Sequence, residues 1–339
     1  MSWYNALAGA CAEQKANSAT AYNLADFDGV TPVGINYNFT QEDNSGANAG
    51  TNIITGIAVT TDNFYLSNTG DGGTFDSGTE QVRKLTLDNS DGIIAQLDAV
   101  NAITTTAGLR DMDMDSTGKR ILFGGNTSHD VYAAEYNTAE DITTTLTGKG
   151  TLLNPLGSHA VNAVCWSNDG TRIAVGTGIS SSNNQVKSYS LSTAYSLAST
   201  PSLIGTKTIS DASSNGAITG IKFNDDGTKV YLSQNKAIRE YVLSTPYDVS
   251  TIGSVNYTLD LSTYVNERNL GPIYSPSPKA ELINGFDWSP DGRTLYCTTA
   301  FGGTVTGQIT GTPGPEIING GKSHPAPDTN TFPVFSISI

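Results

Sequence analysis

The sequence is poor in the residues on which several common classes of protein depend. Its three cysteines, Cys11, Cys165 and Cys297, stand at wide and unequal spacings that exclude a disulfide framework and a C-x-x-C zinc pair. Its three histidines form no H-E-x-x-H motif, and no serine lies in a G-x-S-x-G nucleophile motif. We therefore expect no catalytic residues and no cofactor, with Cys165 and Cys297 as buried free thiols in strands.

Charge is also scarce, and most of it is negative. Charged residues make up 15% of the chain, and the net charge is −14. Because nucleic acids and anionic membranes bind clustered Lys and Arg, we expect neither as a partner. No run of 18 apolar residues is present, and Met1 to Ala12 lacks the basic region of a secretory signal. We expect a protein that is made in a cytoplasm and does not enter a membrane.

Glycine, serine and threonine are abundant, and the apolar residues recur with a period of two in short runs. This balance predicts an all-β protein of many short strands joined by polar turns. Five runs align with one another, and the third position is small in four of them and Asp111 in the other. A small residue fits where strands crowd a central axis. The aligned runs are Ile54-Thr-Gly-Ile-Ala-Val59, Leu109-Arg-Asp-Met-Asp-Met114, Val161-Asn-Ala-Val-Cys-Trp166, Ile218-Thr-Gly-Ile-Lys-Phe223 and Ile283-Asn-Gly-Phe-Asp-Trp288.

Each run begins a longer repeat. A tight turn follows four of the runs, as in Asp225-Asp-Gly-Thr228, where Asp-Gly is typical of a hairpin with positive φ. A second strand, a third strand such as Ile238 to Leu243 and a connector such as Ser244 to Thr251 come next. A fourth strand then completes the unit. Four strands in each unit predict the blade of a β-propeller, with about five blades.

The two ends of the chain predict how the ring closes. The last unit stops at its third strand, Pro333 to Ile339, whereas Gly34 to Thr40 resembles the outer strand of a blade. We therefore expect an N-terminal strand to close the last blade and to remove a free sheet edge. The segment Ala21 to Leu24 also resembles a third strand, so six blades and closure between chains are the alternatives. The predicted domains are a propeller over 21–339 and a tail over 1–20.

The repeat from Ile218 to Thr251 resembles the propeller repeats of structural proteins of marine and environmental phages. The likeness is clear for 161–199 and 283–299, weaker in the first two units, and extends over about 20–339. It implies a non-enzymatic virion protein attached to the capsid or the tail, whose partners are other virion proteins or further copies of itself. We expect the tail residues Trp3, Tyr4 and Leu7 to contact such a neighbour, with the propeller itself as the alternative.

Two further sites are candidates. Asp111 and Asp115 lie on one side of a strand at a separation that suits a hard cation, with Asp113 expected to point the other way. Tyr264 and Tyr274, in a long loop, could stack on a host glycan. The recurring Tyr195 and Tyr247 are instead expected to pack in the blade. A propeller that binds glycans or the host surface is therefore the alternative function, and a propeller enzyme ranks third.

Overall fold

The computed structural model describes most of the chain between residues 22 and 338. The described ranges are 22–30, 33–35, 53–61, 63–69, 81–88, 94–102, 109–125, 129–177, 184–209, 216–262, 279–302, 318–319, 322–323 and 334–338. Trp3, Tyr4, Leu7, Tyr264 and Tyr274 lie outside these ranges, and so does the predicted tail. No helix among the described residues is long and apolar enough to cross a membrane.

Strands account for nearly all of the regular secondary structure among the described residues. The first nine are β1 (Val33–Ile35), β2 (Ile53–Val59), β3 (Asn63–Thr69), β4 (Gln81–Asp88), β5 (Ile94–Ala102), β6 (Leu109–Met114), β7 (Arg120–Gly125), β8 (Val131–Tyr136) and β9 (Leu146–Leu152). The next eight are β10 (Ala163–Trp166), β11 (Arg172–Gly176), β12 (Gln185–Ser190), β13 (Ser202–Thr208), β14 (Ile218–Phe223), β15 (Lys229–Gln234), β16 (Ala237–Leu243) and β17 (Ile252–Asp260). The last five are β18 (Lys279–Trp288), β19 (Thr294–Gly302), β20 (Ile318–Asn319), β21 (Lys322–Ser323) and β22 (Val334–Ser338). Two short 3₁₀ helices cover Leu24–Phe27 and Val249–Thr251.

Twenty of these strands form five four-stranded antiparallel sheets, which are the blades of a propeller. Blades 1 to 4 contain β2 to β5, β6 to β9, β10 to β13 and β14 to β17, each in chain order. Blade 5 has the order β18, β19, β22, β1. The predicted all-β propeller of about five blades is confirmed, and the small hairpin of β20 and β21 is an addition to it.

The N-terminal strand closes the ring within one chain. Val33 pairs with Ser336 and Ile35 with Val334, so β1 is the outer strand of blade 5. Blade 5 also packs on blade 1, where the rings of Phe64 and Tyr296 meet edge to face at 4.6 Å. The prediction of closure by an N-terminal strand is therefore confirmed, and the alternatives of six blades and closure between chains are not what the structure shows.

Tyr22 to Leu24, the described part of the stretch 21–24, do not form a third strand, so that expectation is wrong. Tyr22 has a left-handed φ of 56°, as do the connector residues Tyr195 (57°) and Tyr247 (62°). The amide of each donates to the glycine carbonyl of an Asp-Gly turn: Tyr22 to Gly292, Tyr195 to Gly170 and Tyr247 to Gly227. Thr20-Ala21-Tyr22 thus repeats Thr193-Ala194-Tyr195 in sequence, and Tyr22 occupies the connector position of blade 5.

The hydrophobic core lies between successive blades. Separate buried clusters fill the spaces between blades 1 and 2, 2 and 3, 3 and 4, and 4 and 5. The last of these clusters includes Leu24 and Phe27 from the N-terminal segment, packed with Trp288. Each blade therefore buries its two faces against its neighbours, and the N-terminal segment supplies part of the last interface.

Candidate functional site: a buried ion cluster on the propeller axis

Three charged side chains from the innermost strands of blades 2, 4 and 5 meet near the axis. They stand at the fifth position of the aligned runs, which is occupied in the five runs by Ala58, Asp113, Cys165, Lys222 and Asp287. Side chains alternate between the two sides of a strand, so the residues at the fifth position lie on the same side as those at the third. Three of the five residues carry charge.

Lys222 is at the centre of this group. Its Nζ lies 2.5 Å from Asp113 Oδ1 and 3.3 Å from Asp287 Oδ1. The side chains of Lys222, Asp113 and Asp287 are only 7%, 8% and 13% exposed. These three residues, called the axial cluster below, connect blade 4 with blades 2 and 5.

The carboxylates also bond to the backbone of neighbouring blades. Asp113 Oδ2 accepts from the amide of Trp166 at 2.7 Å, and Asp287 Oδ2 accepts from the amide of Val59 at 2.8 Å. Innermost strands of separate blades share no sheet ladder, so an amide that faces the next blade needs another acceptor. The two aspartates supply it, and a charged acceptor makes a stronger bond than a neutral one.

Asp111 lies in β6, two residues before Asp113. Its Oδ2 accepts from the amide of Val164 in blade 3 at 2.9 Å. Its Oδ1 extends toward blade 1, where a Cβ added to Gly56 would stand 2.7 Å from it. The expected small residue near the axis is thus needed at position 56, because a larger side chain would collide with this carboxyl group.

Burial shifts the pKa values of several of these charged side chains. Desolvation raises the pKa of Asp111 well above its ordinary value, against the opposing attraction of Lys222. Desolvation likewise raises the pKa of Asp287 to about 6. Burial disfavours the charge on Lys222, but the attraction of Asp113, Asp287 and Asp111 outweighs it and raises the lysine pKa. The axial cluster therefore contains an ammonium group beside the carboxyl group of Asp287, which holds a proton more tightly than usual.

The two candidate metal ligands have separate roles. Asp115 accepts from the amides of Lys119 and Arg120 at 2.8 and 2.9 Å and from the Arg120 guanidinium at 2.8 Å, so it closes its own turn. Asp111 bonds to blade 3 instead. Within the described ranges no group of three or more His, Cys, Asp or Glu side chains is arranged to hold a metal ion.

The expectation that Asp113 points away from Asp111 is wrong. Asp111 and Asp113 both reach amides of β10, since residues two apart on a strand project to the same side. Sequence reasoning also missed Lys222 and Asp287. A signal was present, because the fifth position of the aligned runs contains one lysine and two aspartates between apolar neighbours.

The predictions for two tyrosines and two cysteines are confirmed. Tyr195 packs edge to face on Trp166 at 5.2 Å, and Tyr247 packs on Phe223 at 5.1 Å. Each hydroxyl donates to a turn carbonyl at 2.7 Å. Both tyrosines therefore have packing roles. Cys165 and Cys297 are buried free thiols, as expected.

One family matches part of the chain. Residues 150–190 match WD40, described as "WD domain, G-beta repeat". The matched segment covers the end of β9 and then β10, β11 and β12, so it runs from one outer strand through three strands of the next blade. No curated protein sequence matches the chain.

Solved structures resemble the chain at low identity. One is a Bacteroides uniformis ATCC 8492 protein named as a 6-phosphogluconolactonase, with 12% identity over 61% of this chain and 55% of that chain and a TM-score of 0.40. Another belongs to the nidogen/laminin complex, with 9% identity, 73% and 74% coverage and a TM-score of 0.43. A third is the Cps50 (Swd1) β-propeller domain of Myceliophteria thermophila, with 11% identity, 73% and 65% coverage and a TM-score of 0.36. The chain spans about half of the length of the Bacteroides protein. These similarities assign no activity to the present chain.

Proposed function

We propose that this propeller is a non-enzymatic structural component of a phage particle, which binds other virion proteins through its surface and its N-terminal tail. The observation that carries the proposal is the ion-paired axial cluster. The charged side chains there are bonded to one another and to the backbone of neighbouring blades. Their bonds favour a role in holding the blades together over a role in turnover of a substrate.

Two further observations support a binding role. WD40 propellers generally mediate contacts between proteins, and one repeat of this chain matches that family. The repeat from Ile218 to Thr251 resembles repeats of phage structural proteins. A rigid disc with a closed ring suits such a role, because it presents its loops at fixed positions.

Incorporation into particles is the direct test. Phage particles whose genome encodes this chain would be purified by density and digested with trypsin, and peptides 188–207 and 240–268 would be sought by mass spectrometry. We expect both peptides to copurify with particles and antibodies against the chain to label them in electron microscopy. Peptides that occur only in the particle-free fraction would contradict the proposal.

The tail is tested separately. A variant without residues 2–17 retains Thr20-Ala21-Tyr22, so the connector of blade 5 stays in place. We expect the full-length chain to form assemblies with itself or with other virion proteins in light scattering, and the variant to remain a folded monomer. If the two proteins have the same assembly state in light scattering, the proposed role of the tail in binding is wrong.

The alternative functions have their own tests. Saturable binding on a glycan array that is lost in a Tyr264→Ser, Tyr274→Ser double variant would favour the glycan-binding module. Turnover of a sugar lactone by the native chain, absent after denaturation, would favour a propeller enzyme. We expect neither result.

A further inference from the structure

The axial cluster contains the groups needed to form an amide between a lysine and an aspartate. We propose that Lys222 and Asp113 condense to an isopeptide bond, which ties blade 4 to blade 2 across the axis. The cross-link would be a modification of the chain by its own side chains. It does not depend on the virion role proposed above.

Proximity is the first argument. Lys222 Nζ and Asp113 Oδ1 are 2.5 Å apart, and both side chains are more than nine-tenths buried. Two reacting groups that are fixed in contact act at a very high effective concentration. Exclusion of water also matters, because it disfavours the reverse hydrolysis of the amide.

The backbone supplies the second argument. Asp113 Oδ2 accepts from the amide of Trp166 at 2.7 Å. Attack of the amine on Cγ places negative charge on this oxygen, and an N–H donor already directed at it stabilises that charge. Oδ2 then becomes the carbonyl oxygen of the new amide and retains the same hydrogen bond.

Asp287 is placed to transfer a proton from Lys222 to the departing oxygen of Asp113. Its Oδ1 lies 3.3 Å from Lys222 Nζ, and the amides of Val59 and Trp288 donate to the carboxylate at 2.8 and 2.9 Å. Burial raises the pKa of this carboxyl group to about 6, close to the value that suits a general acid and base. It can take a proton from the lysine and return it to the departing oxygen.

The step balances without any other reactant. One proton first passes from Nζ to Oδ1 along their hydrogen bond, which leaves a neutral amine beside a neutral carboxyl group. The Nζ–Cγ bond then forms, Asp287 carries a second proton from the nitrogen to Oδ1, and the Cγ–Oδ1 bond breaks. Of the three protons on the ammonium group, one remains as the amide N–H and two leave with Oδ1 as water. The positive and negative charges of the pair disappear together, which removes two buried charges from a poorly solvated site.

The mass of the intact chain is the decisive measurement. We expect the purified full-length protein, unfolded in denaturant, to have a mass lower than that of its sequence by one water. Tryptic digestion should yield a branched peptide in which 111–119 is joined to 208–229, because the amide at Lys222 blocks cleavage there. A chain with the full sequence mass, before and after prolonged incubation in the native state, would overturn the proposal.

Variants of the cluster locate the bond. Lys222→Arg retains a cation and should show the unreduced mass. Asp113→Asn should lose ammonia instead of water and reach the same final mass as the cross-linked wild type. Asp287→Asn retains the Lys222 and Asp113 pair and should remain uncross-linked, with its fold verified by circular dichroism.

Two other results would contradict parts of this assignment. A branched peptide that joins 280–293 to 208–229 would make Asp287 the electrophile and overturn the assignment of Asp113. Cross-linking of Asp287→Asn at the wild-type rate would overturn the role of Asp287 in proton transfer.

Discussion

The hydroxyl of Tyr22 donates to the carbonyl oxygen of Pro290 at 3.1 Å, although the two residues are 268 positions apart in the sequence. Its ring also packs edge to face on Trp288 at 5.6 Å. The same contacts hold Tyr195 and Tyr247 to the turns of their own blades. In blade 5 the connector therefore comes from the opposite end of the chain, so the N-terminal segment contributes to closure of the ring.

Leu24 should be essential to that closure. It is fully buried and packs with Tyr231 and Trp288 between blades 4 and 5. Leu24→Ala should lower the free energy of unfolding by about 3 kcal/mol, because it removes buried methyl groups and leaves a cavity. Urea denaturation followed by tryptophan fluorescence measures the change.

The matched control is Leu203→Ala. Leu203 is 55% exposed on the outer strand β13, so its truncation should change stability by no more than about 0.5 kcal/mol. Equal losses in the two variants would show that the N-terminal segment does not pack as described.

The turn glycine of blade 4 should not tolerate a side chain. Gly227 has a φ of +70°, and a Cβ there would collide with the ring of Tyr247. Gly227→Ala should destabilise the protein by at least about 2 kcal/mol through strain and displacement of the tyrosine. The difference in the thermal unfolding midpoint between wild type and variant measures this loss.

Gly253→Ala provides the comparison for that variant. A Cβ at Gly253 meets no atom within 4 Å, and its φ is not in the left-handed region. We expect this substitution to leave the midpoint unchanged or to raise it slightly. A similar loss at both glycines would argue against the turn geometry.

The axial carboxyl groups predict a particular pH dependence. The folded-state pKa of Asp287 is raised to about 6 from an ordinary value of 3.8. Between these values the folded state holds a proton that the unfolded state has lost, so this group makes stability fall as pH rises from about 4 to about 6. The slope that it contributes is at most about 1.4 kcal/mol per pH unit.

Asp287→Asn isolates this contribution when both proteins also carry Lys222→Arg, which prevents the proposed cross-link and retains a cation. Asparagine does not titrate, so the stability difference between the Lys222→Arg protein and the double variant should change across pH 4 to 6 and level off above about pH 7. Urea denaturation at a series of pH values gives the two curves. Parallel curves over the whole range would show that Asp287 titrates normally.

The two buried thiols should be unreactive in the native protein. Burial raises the pKa of Cys165 and of Cys297, and the thiolate is the form that reacts. In a Cys11→Ser variant, a disulfide reagent should label no thiol under native conditions and two in denaturant. Rapid labelling of the native variant would contradict the burial of these strands.

Local patterns in the sequence were enough to predict the blades. Alternating apolar residues mark strands, and Asp-Gly marks the turns between them, because both effects depend on neighbours in the chain. The missing outer strand of the last unit also predicted its replacement by the N-terminal strand. The connector role of Tyr22 was missed, although Thr20-Ala21-Tyr22 repeats Thr193-Ala194-Tyr195, because its partner Gly292 lies near the other end of the chain.

The sequence by itself thus determined the all-β repeat, the strand order within each blade and the N-terminal closure of the ring. Only the tertiary structure decided which side chains meet on the axis. Lys222 and Asp113 are 109 positions apart and belong to blades that are not adjacent. Their contact depends on the number of blades and the closure of the ring, which bring the innermost strands together, and no local pattern specifies that geometry.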